Sequence, residues 1–559
     1  MALSSKMKIW FLALFLLFCS FVSSKRHVAY VTLDSKDGLK IRRGQNQGQD
    51  LIGTATFADY IQTTGWAVLE VTTNPNYDDA LQAYAAGLME ADLTRELIAK
   101  NWNNTIDGYC KKPYAGYCAR LQKFLQDNLE WVYHQIASQP NDPYWHQVEL
   151  LLTQVNGLID GYTSKVQKPS YKITDPFGFY FFQIGGDLED LESALKKEDK
   201  THLLGSGSCS ALVKLLPGNK ELFMSHDTWS GFQSMLRIQK RYQFGFHHSY
   251  QRGSQQIPGN NVSFSSYPGK VFSGDDFYAT SAGLGAQETT IGNSNADLWS
   301  KVTSSSVLEN FRSMVANRLA VSGKEWTDTF KKYNSGTYNN QWMIVDYKKF
   351  TPGNASSQDL LWVLEQIPGT IMAADVSNVL LKQGYWGSYN IPYFPKIFNA
   401  SGVNDLVKKF GDWFSYENGP RAKIFRRDHG KVVDMETMVH LMRYNDFKND
   451  PVSRCNCTPP YSGENAISAR SDLNPASGTY PFGALGHRLH GGTDMKVTSS
   501  ILIKKLEFVA ISGPTYTNLP PFQWSTSDFK DVRHEGLPDL WKFPVVQYDW
   551  DSKLMTIAP

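Results

Sequence analysis

Cys209 is the residue of this 559-residue chain whose type and setting most clearly suggest chemistry. Small residues lead up to it in Gly205-Ser206-Gly207-Ser208, and an apolar, partly β-branched run follows over 209–216. Glycine and serine allow the backbone bend that a thiol needs in order to attack the carbonyl just before it. After such a self-cleavage the new α-amino group would lie beside the thiol and could serve as its base. The alternative is a buried structural cysteine that opens a core strand.

The cysteine count favours a reactive Cys209. Of the six cysteines, Cys19 falls in an N-terminal segment that we expect to be removed. Four others stand in two close pairs, Cys110 with Cys118 and Cys455 with Cys457. Four cysteines allow three connectivities, and any full pairing leaves Cys209 over. An odd thiol in a secreted protein is either an intermolecular linker or a reactive group.

The first 24 residues predict a secretory signal peptide. Lys6 and Lys8 precede an apolar run of 14 residues from Ile9 to Val22, and Ser23-Ser24 suit cleavage before the next residue. The run is shorter than the roughly 20 residues that a membrane span needs. The mature protein is therefore expected in the lumen of the secretory pathway or outside the cell. Five Asn-x-Ser/Thr sequons agree and predict glycosylated surface positions: Asn103, Asn261, Asn354, Asn399 and Asn456.

The sequence gives little support for a nucleic-acid site, a metal site or one of the common catalytic motifs. The formal net charge is +2 with no basic block, so we expect no nucleic acid partner. The chain has no G-x-S-x-G elbow, no H-E-x-x-H, no Walker loop and no complete G-x-G-x-x-G. Cys455-x-Cys457 and the pair His487 and His490 lack partners at metal-binding spacing. We expect no metal and no cofactor.

The predicted secondary structure changes at Cys209, from mainly helices before it to a mixture of strands and helices after it. A strand is predicted over Trp66–Val71, and apolar residues at i, i+3, i+4 and i+7 then predict helices over 78–100, 119–137 and 144–160. Lys196 to Lys200 are charged and predict an exposed linker. The later part predicts strands over 209–216, 221–228, 262–266, 341–347 and 360–366, and helices near 232–240, 307–321 and 434–443. The tail from 513 is rich in proline and aromatic residues and is expected to wrap the surface.

The predicted strands at 341–347 and 360–366 are almost continuously apolar, which is typical of sheets covered on both faces. Helices on both sides of such sheets predict an α+β fold, an αββα sandwich with a helix-rich N-terminal segment. The predicted parts are a signal peptide at 1–24, an N-terminal fragment at 25–208 and a main fragment at 209–559. The two fragments are expected to stay associated as one globular unit after cleavage between Ser208 and Cys209.

Six stretches of the sequence resemble the phospholipase B-like proteins, and the resemblance extends over nearly the whole mature chain. They are Gly207-Ser208-Cys209-Ser210-Ala211-Leu212; Ser265-Ser266-Tyr267-Pro268-Gly269 with Asp275-Asp276-Phe277-Tyr278; Tyr333-Asn334-Ser335-Gly336-Thr337-Tyr338-Asn339-Asn340-Gln341; Tyr385-Trp386-Gly387-Ser388-Tyr389-Asn390; Pro420-Arg421-Ala422-Lys423-Ile424-Phe425-Arg426-Arg427; and Ile467-Ser468-Ala469-Arg470-Ser471-Asp472-Leu473-Asn474. The resemblance implies an N-terminal nucleophile (Ntn) hydrolase fold, self-cleavage before Cys209 and delivery to the lysosome. It also implies the local disulfides Cys110–Cys118 and Cys455–Cys457.

The same resemblance implies roles for individual residues. Cys209 would be the nucleophile, and His226 would orient the new amine or hold substrate. Asn390 would donate to the oxyanion, and Arg470 would be a cation near that charge. The substrate pocket would include Asp227, Thr228 and Trp229, although plain core packing is the alternative for Trp229.

These observations lead us to expect a self-cleaving lysosomal or secreted phospholipase that forms a thioester on Cys209. One alternative is a hydrolase of N-acyl amides or peptide bonds, because the same chemistry suits amides. Another is a lumenal binding glycoprotein with little turnover. The expected partner is a lipid or acyl-amide small molecule, with no transmembrane span, and a homodimer is compatible with the sequence.

Overall fold

A computed structural model describes residues 21–22, 24–34, 38–44, 51–111, 113–198 and 209–558. Most of the predicted signal peptide and Ser208 itself therefore lie outside the described residues. The strands, in chain order, are β1 Phe21–Val22, β2 Arg26–Asp34, β3 Gly38–Arg43, β4 Leu51–Tyr60, β5 Trp66–Thr73, β6 Cys209–Leu215, β7 Leu222–Gly231, β8 Arg237–Gln243, β9 Asn261–Ser266, β10 Phe277–Thr280, β11 Leu284–Thr290, β12 Asn340–Asp346, β13 Phe350–Thr351, β14 Asn354–Ala355, β15 Leu361–Ile367, β16 Thr370–Asp375, β17 Tyr385–Ser388, β18 His490–Thr498, β19 Val509–Ser512, β20 Phe522–Gln523, β21 Leu540–Trp541, β22 Val546–Asp549 and β23 Leu554–Ile557.

Helices fall into two groups, one before Cys209 and one spread over the later chain. In chain order they are α1 Ile61–Thr64, α2 Asp79–Thr105, α3 Ala115–Ser138, α4 Pro143–Thr163, α5 Phe179–Phe182, α6 Gly185–Ala194, α7 Glu309–Leu319, α8 Gly323–Phe330, α9 Ser377–Gln383, α10 Pro395–Ala400, α11 Val403–Phe410, α12 Pro420–Asp428 and α13 Met435–Met442.

Two large sheets organise the molecule. The larger has eleven strands in the order β16-β15-β12-β11-β10-β9-β8-β5-β4-β2-β3, and the smaller has eight in the order β1-β23-β22-β19-β18-β7-β6-β17. Neighbours within both sheets are antiparallel except β5 and β8, which pair in parallel with Trp66 opposite Arg237. This parallel pair joins strands from before and after Cys209 into one sheet.

Three hydrophobic cores separate four layers. Val68 of β5 and Val213 of β6 belong to the core between the two sheets. A second core packs helices α2 to α8 against the outer face of the larger sheet, and a third packs α12 and α13 against the outer face of the smaller one. The arrangement is helix, sheet, sheet, helix, as the apolar strands predicted.

The helical layer before Cys209 is built on two long helices in close contact. Gly87 of α2 faces Gly157 of α4, and a methyl group at Gly157 would lie 2.2 Å from the carbonyl oxygen of Tyr84. Such a separation is far inside van der Waals contact, so the absence of a side chain lets the backbones approach. Asp142 caps α4 by accepting a hydrogen bond from the backbone N–H of Tyr144.

Most predicted elements are present within a few residues. The predicted helices 78–100, 119–137 and 144–160 correspond to α2, α3 and α4, and the predicted strand 341–347 corresponds to β12. The prediction of a helix at 232–240 is wrong. Residues 237–243 form β8, because their backbone pairs with β5 on one side and with β9 on the other.

Two predictions about exposure also need correction. Lys197, expected in an exposed linker, is only 4 % exposed, and its Nζ lies 2.6 Å from Glu192 and 4.6 Å from the Tyr109 ring centroid. Residues 199 and 200 lie outside the described part. The tail beyond 513 is not a surface wrap, since it supplies β22 and β23 to the smaller sheet and buries Trp541 and Trp550.

Both disulfides implied by the resemblance are formed, Cys110–Cys118 and Cys455–Cys457. Within the described part of the chain, no helix has the length and apolar character needed to cross a membrane.

Candidate active site

Cys209 is the first residue of β6 and pairs with Thr228 of β7. Along β6, Ala211 and Val213 belong to the core between the sheets, whereas Leu212 belongs to the core under the C-terminal helices. Because strand side chains alternate between faces, the Cys209 thiol faces the space between the sheets. The residue is 3 % exposed, is the one cysteine outside a disulfide in the described chain, and lines a cavity of about 270 Å³.

His226 lies near Cys209 on the next strand, but both of its ring nitrogens are occupied. Nε2 lies 2.9 Å from the main-chain oxygen of Glu288, which can only accept, so Nε2 carries the proton. The Lys496 ammonium lies 3.1 Å from Nδ1 and donates to it. Burial, reinforced by Lys496, holds the pKa of His226 well below its usual value. The imidazole is therefore neutral and has no free lone pair with which to accept the thiol proton.

His226 lies next to a buried cluster of four charged side chains. Lys496 Nζ lies 2.9 Å from Asp275 and 2.7 Å from Asp494, and Arg237 pairs with the same two carboxylates. Two positive and two negative charges balance. Burial alone would raise the pKa of Asp275, but Arg237 and Lys496 hold it below its usual value. The Thr228 hydroxyl joins the group by donating to Asp275 at 3.0 Å.

A third buried carboxyl group, that of Glu288 in β11, approaches the thiol from the opposite sheet. The Cys209 sulfur, a His226 ring nitrogen and a Glu288 carboxylate oxygen all lie within 4.8 Å of one another. Burial raises the pKa of Glu288 well above its usual value, and the nearby Asp276 raises it further. Glu288 is therefore a neutral acid, and its Oε1 accepts a hydrogen bond from the Tyr338 hydroxyl at 3.3 Å.

The thiol itself is protonated at rest. Burial raises the pKa of Cys209 well above its usual value. The backbone N–H of Trp229 acts in the opposite direction by hydrogen bonding. A thiolate at this position therefore requires a base that neither His226 nor Glu288 supplies.

Cys209, His226 and Glu288 are ligand types that a zinc ion accepts. However, His226 uses both nitrogens in other contacts, and the Lys496 ammonium at 3.1 Å from Nδ1 would repel a cation. The trio is better described as a thiol, an imidazole and a carboxyl group than as a metal centre.

Arg421 of α12 connects Cys209 to Asn390. One guanidinium nitrogen lies 2.6 Å from the carbonyl oxygen of Cys209, and another lies 2.6 Å from Asn390 Oδ1. Its guanidinium also lies 4.3 Å above the Trp229 ring. Asn390 has a φ of 68°, and its Nδ2 donates to the carbonyl of Thr290 at 2.6 Å. One N–H of the Asn390 amide thus remains available beyond the bond to Thr290.

Asn390 and Arg421 line a second cavity of about 140 Å³. Its walls combine aromatic residues, Trp413 and Phe414 among them, with polar residues such as Asn293 and Glu464. The two cavities adjoin because both are lined by the same three residues, Gly186, Glu189 and Tyr338.

The three predicted pocket residues are placed differently. Thr228 and Trp229 line the Cys209 cavity, and the Trp229 indole donates to the carbonyl of Ile467 at 3.1 Å. Asp227 lies on the opposite face of β7 from His226, since neighbouring side chains in a strand alternate. Its carboxyl is fully buried, which raises its pKa well above the usual value. The expectation that Asp227 lines the pocket therefore does not hold.

Arg470 makes other contacts than the one predicted for it near the oxyanion. It is 1 % exposed, its guanidinium pairs with Asp472 at 2.8 Å, and it donates to the carbonyls of Thr515 and Pro520. These contacts use its hydrogen-bonding capacity to fix the C-terminal segment. The arginine near the nucleophile is Arg421, which stands in another of the six resembling stretches.

Sequence reasoning missed Arg421, Glu288 and Lys496 as neighbours of the nucleophile. Each lies far from Cys209 in the chain, and none stands in a motif whose spacing announces chemistry. Arg421 stands in a stretch that resembles the phospholipase B-like proteins, and that resemblance is a sequence signal for it. Strands β11 and β18 are rich in polar residues, so Glu288 and Lys496 do not stand out in them.

The five sequons are not all equally accessible. Asn354, Asn399 and Asn456 are exposed, whereas Asn103 and Asn261 are half-buried. The Asn103 amide donates to Glu535 at 2.9 Å, so a glycan there would have to displace that contact. Glycosylation remains a prediction.

Comparison with known proteins assigns the chain to a family. The Phospholipase B family model matches residues 53–548. The protein of Bos taurus named "Putative phospholipase B-like 2" is 53 % identical over 526 residues, covering 93 % of this chain and 89 % of its own. The protein of the same name in Homo sapiens is 53 % identical over 509 residues, covering 90 % of this chain and 86 % of its own.

A more distant relative, phospholipase B-like protein B of Dictyostelium discoideum, is 39 % identical over 93 % of this chain and 89 % of its own. Among solved structures, the C2A mutant of conjugated bile acid hydrolase from Clostridium perfringens aligns with 54 % of this chain and 89 % of its own. That alignment has 10 % identity and a TM-score of 0.29, too low to support an argument. The sequence matches are sufficient by themselves: this chain belongs to the phospholipase B family.

Proposed function

We propose that this protein is a hydrolase that cleaves acyl ester bonds of lipids through a thioester on Cys209, after the chain is cut between Ser208 and Cys209. The observation that carries the proposal is the unpaired thiol of Cys209, which opens a buried strand and lines a cavity of about 270 Å³. The names of the relatives support an ester of a phospholipid as the substrate class.

Cleavage supplies the base that the site otherwise lacks. The thiol is protonated, His226 has no free nitrogen, and Glu288 is itself a neutral acid. The α-amino group created at Cys209 has a reference pKa of about 7.7–8.0 and lies on the same residue as the thiol. It accepts the thiol proton, and the sulfur then attacks the acyl carbonyl.

The steps that follow balance in protons and bonds. The carbon–sulfur bond forms, the carbonyl oxygen gains the electron pair, and the ammonium returns its proton to the leaving alcohol as the ester bond breaks. A water molecule then gives its proton to the amine and attacks the thioester. This releases the carboxylic acid and restores the thiol.

Asn390 is the proposed donor to the oxyanion. Arg421 fixes its Oδ1, and the bond to Thr290 fixes one N–H, so the other N–H has a set direction. A preorganised donor stabilises negative charge in the transition state without reorganisation cost. Arg421 acts as a positioning residue, because it also holds the carbonyl of the nucleophile at 2.6 Å.

The two fragments would remain together after cleavage, as one hydrolase. Strand β5 comes from the segment before the cut and β8 from the segment after it, yet they are neighbours in the larger sheet. The predicted signal peptide and sequons support delivery to the lysosome or secretion. The apolar residues Ile106, Phe182 and Leu188 in the Cys209 cavity suit an acyl chain.

Two other functions remain as alternatives. A hydrolase of N-acyl amides or peptide bonds would use the same thioester, and only paired ester and amide substrates separate it from the lipid esterase. A lumenal binding glycoprotein would be cut at Cys209 but would not accumulate an acyl adduct.

The test is N-terminal sequencing and intact mass of wild-type protein matured at acidic pH, followed by incubation with an activated acyl ester. We expect a new N-terminus at Cys209, two fragments that co-elute until denatured, and an acyl adduct on Cys209. The Cys209→Ala variant should remain one chain and carry no adduct. A wild-type protein that stays uncut, or that carries the adduct on Cys110, Cys118, Cys455 or Cys457, would contradict the mechanism.

A further inference from the structure

Lys270 places an ammonium group in the wall of the Cys209 cavity. It lies in the loop between β9 and β10 and lines that cavity. Its Nζ lies in a narrow space, because a methyl group built on Gly185 or Gly274 would lie 3.2 or 3.0 Å from it. Nζ also lies 4.9 Å from the Tyr267 ring centroid and 5.5 Å from that of Phe272. The side chain is thus held between two backbones and two aromatic rings.

Lys270 is half-buried and lacks the carboxylate partners of three fully buried lysines. Lys197 pairs with Glu192, Lys240 with Glu90, and Lys496 with Asp275 and Asp494. Within the described part of the chain, Lys270 Nζ has no carboxylate at ion-pair distance and no hydrogen-bond acceptor. A half-buried charge without a partner is partly desolvated at a cost, and a ligand of opposite charge would reduce that cost. Burial already lowers the pKa of Lys270 to about 8.

Most nearby carboxyl groups do not neutralise Lys270. Asp275 is committed to Arg237 and Lys496, and Glu192 to Lys197. Burial raises the pKa of Asp276 to about 7, so at acidic pH this group is uncharged. Glu189 also lines the cavity, at its junction with the second cavity, and there it would oppose an incoming anion.

The start of α6 adds positive potential at the same wall. Gly185 and Gly186 are the first residues of this ten-residue helix, and both line the cavity. The preceding residue, Ile184, provides no side-chain cap. The first N–H groups of a helix lack intrahelical acceptors and favour anions.

We propose that Lys270 forms an anion subsite for the phosphate or carboxylate group of an acyl substrate bound at Cys209. Its catalytic consequence rests on the proposed function, whereas anion binding itself does not. An anionic amphiphile is held with its charged group at Lys270 and its acyl chain along the apolar part of the cavity. Neutral esters lack that anchor and bind more weakly.

Binding is tested by calorimetry on the mature protein with octyl phosphate, octanoate and octanol at pH 5. We expect at least one of the two anions, octyl phosphate and octanoate, to bind at least tenfold more weakly to Lys270→Met than to wild type. The binding of octanol should stay unchanged. Lys270→Arg should restore part of the affinity, and Glu189→Gln should increase it. The matched control is Lys324→Met, which removes an exposed lysine of α8 that pairs with Asp328. The tighter of the two anions identifies whether the subsite prefers phosphate or carboxylate.

The proposal is overturned if each of the two anions binds Lys270→Met as tightly as it binds wild type. If Lys270→Met fails to fold, Lys270→Arg and the pH dependence of the wild type decide. As pH rises through about 8 the Lys270 ammonium loses its charge, so the affinity of wild type should fall more than that of Lys270→Arg, whose guanidinium stays charged. Ionisation of Asp276 near pH 7 acts on both proteins alike. An equal pH dependence of the two proteins would also overturn the proposal.

A kinetic arm separates this proposal from the proposed function. The ratio of kcat/KM for an anionic over a neutral acyl ester should fall about tenfold in Lys270→Met, chiefly through KM. If no ester acylates Cys209, the proposed function fails and the binding result still stands. If the neutral ester acylates Cys209 and the ratio does not change, only the anion subsite fails.

Discussion

At the scale of single residues, the site combines a protonated thiol with an imidazole that is already saturated. His226 donates to Glu288 and accepts from Lys496, so it resembles a structural support more than a base. This arrangement explains why a free α-amino group would matter at Cys209. The arginine that contacts Cys209 is Arg421, through the Cys209 carbonyl, whereas Arg470 contacts Asp472, Thr515 and Pro520.

Asn390→Ala is expected to slow acylation of Cys209 by about 10²–10³-fold, since it removes a preorganised oxyanion donor. The measurement is the acylation rate with one activated ester, on wild type and variant after both have been cut. Asn293 lines the same smaller cavity and its amide donates to Asn295 at 3.0 Å, so Asn293→Ala is the matched control. Equal rates for wild type and Asn390→Ala would remove Asn390 from the mechanism.

At the scale of elements, the hairpin of β6 and β7 fixes the site, and the helical layer closes it. The hairpin register sets Cys209 opposite Thr228 and Ala211 opposite His226. Helix α6 then brings Gly185 and Gly186 to the cavity wall. Within the helical layer, α2 and α4 lie in close contact and leave no room for larger side chains between them.

Gly157→Ala is expected to destabilise the protein by about 1–3 kcal/mol, because the added methyl group would force α2 and α4 apart. The contact at risk is with the backbone carbonyl of Tyr84, which cannot rotate away as a side chain could. The free energy of unfolding, measured by denaturant titration, checks this. Gly430→Ala is the control, since nothing lies within 4 Å of a methyl group there. Equal stability of the two variants would show that the helices have more freedom than their contact implies.

At the scale of the whole molecule, buried carboxyl groups should adapt the fold to acidic surroundings. Burial raises the pKa of Asp187 to about 6, and burial with Asp275 raises that of Asp276 to about 7. The unfolded value is about 3.9, so the folded state binds protons more tightly. The resulting stabilisation is complete below about pH 4 and is lost as pH rises through 6 and 7. The lowered pKa of His226 acts in the opposite sense below about pH 6.5.

Asp276→Asn is expected to reduce the loss of thermal stability between pH 5 and pH 8, because asparagine imitates the protonated carboxyl and does not titrate. Melting temperatures at intervals across that range provide the measurement. Asp328→Asn, on the exposed face of α8, is the control and should keep the wild-type dependence. A dependence in Asp276→Asn as steep as in wild type would assign the effect to other groups.

The sequence by itself determined the candidate nucleophile and much of its local setting. An odd cysteine behind a Gly/Ser stretch, followed by an apolar run and a turn, was enough to predict β6 and β7 and to select Cys209 as the candidate nucleophile. Periodicity was enough for α2, α3 and α4, because each long helix carries its own apolar face. The apolar strands at β12 and β15 likewise predicted sheets covered on both sides.

Only the tertiary structure decided which residues surround the thiol. Glu288 meets His226 from 62 residues away, Arg421 meets Cys209 from 212, and Lys496 meets His226 from 270. No local pattern reports such contacts, because they follow from how two sheets are stacked and registered. The wrong predictions have the same cause, since they too concern contacts between distant parts of the chain. Residues 237–243 became a strand through pairing with β5, and Arg470 and Asp227 were turned away from the cavity by the segments and strand faces that hold them.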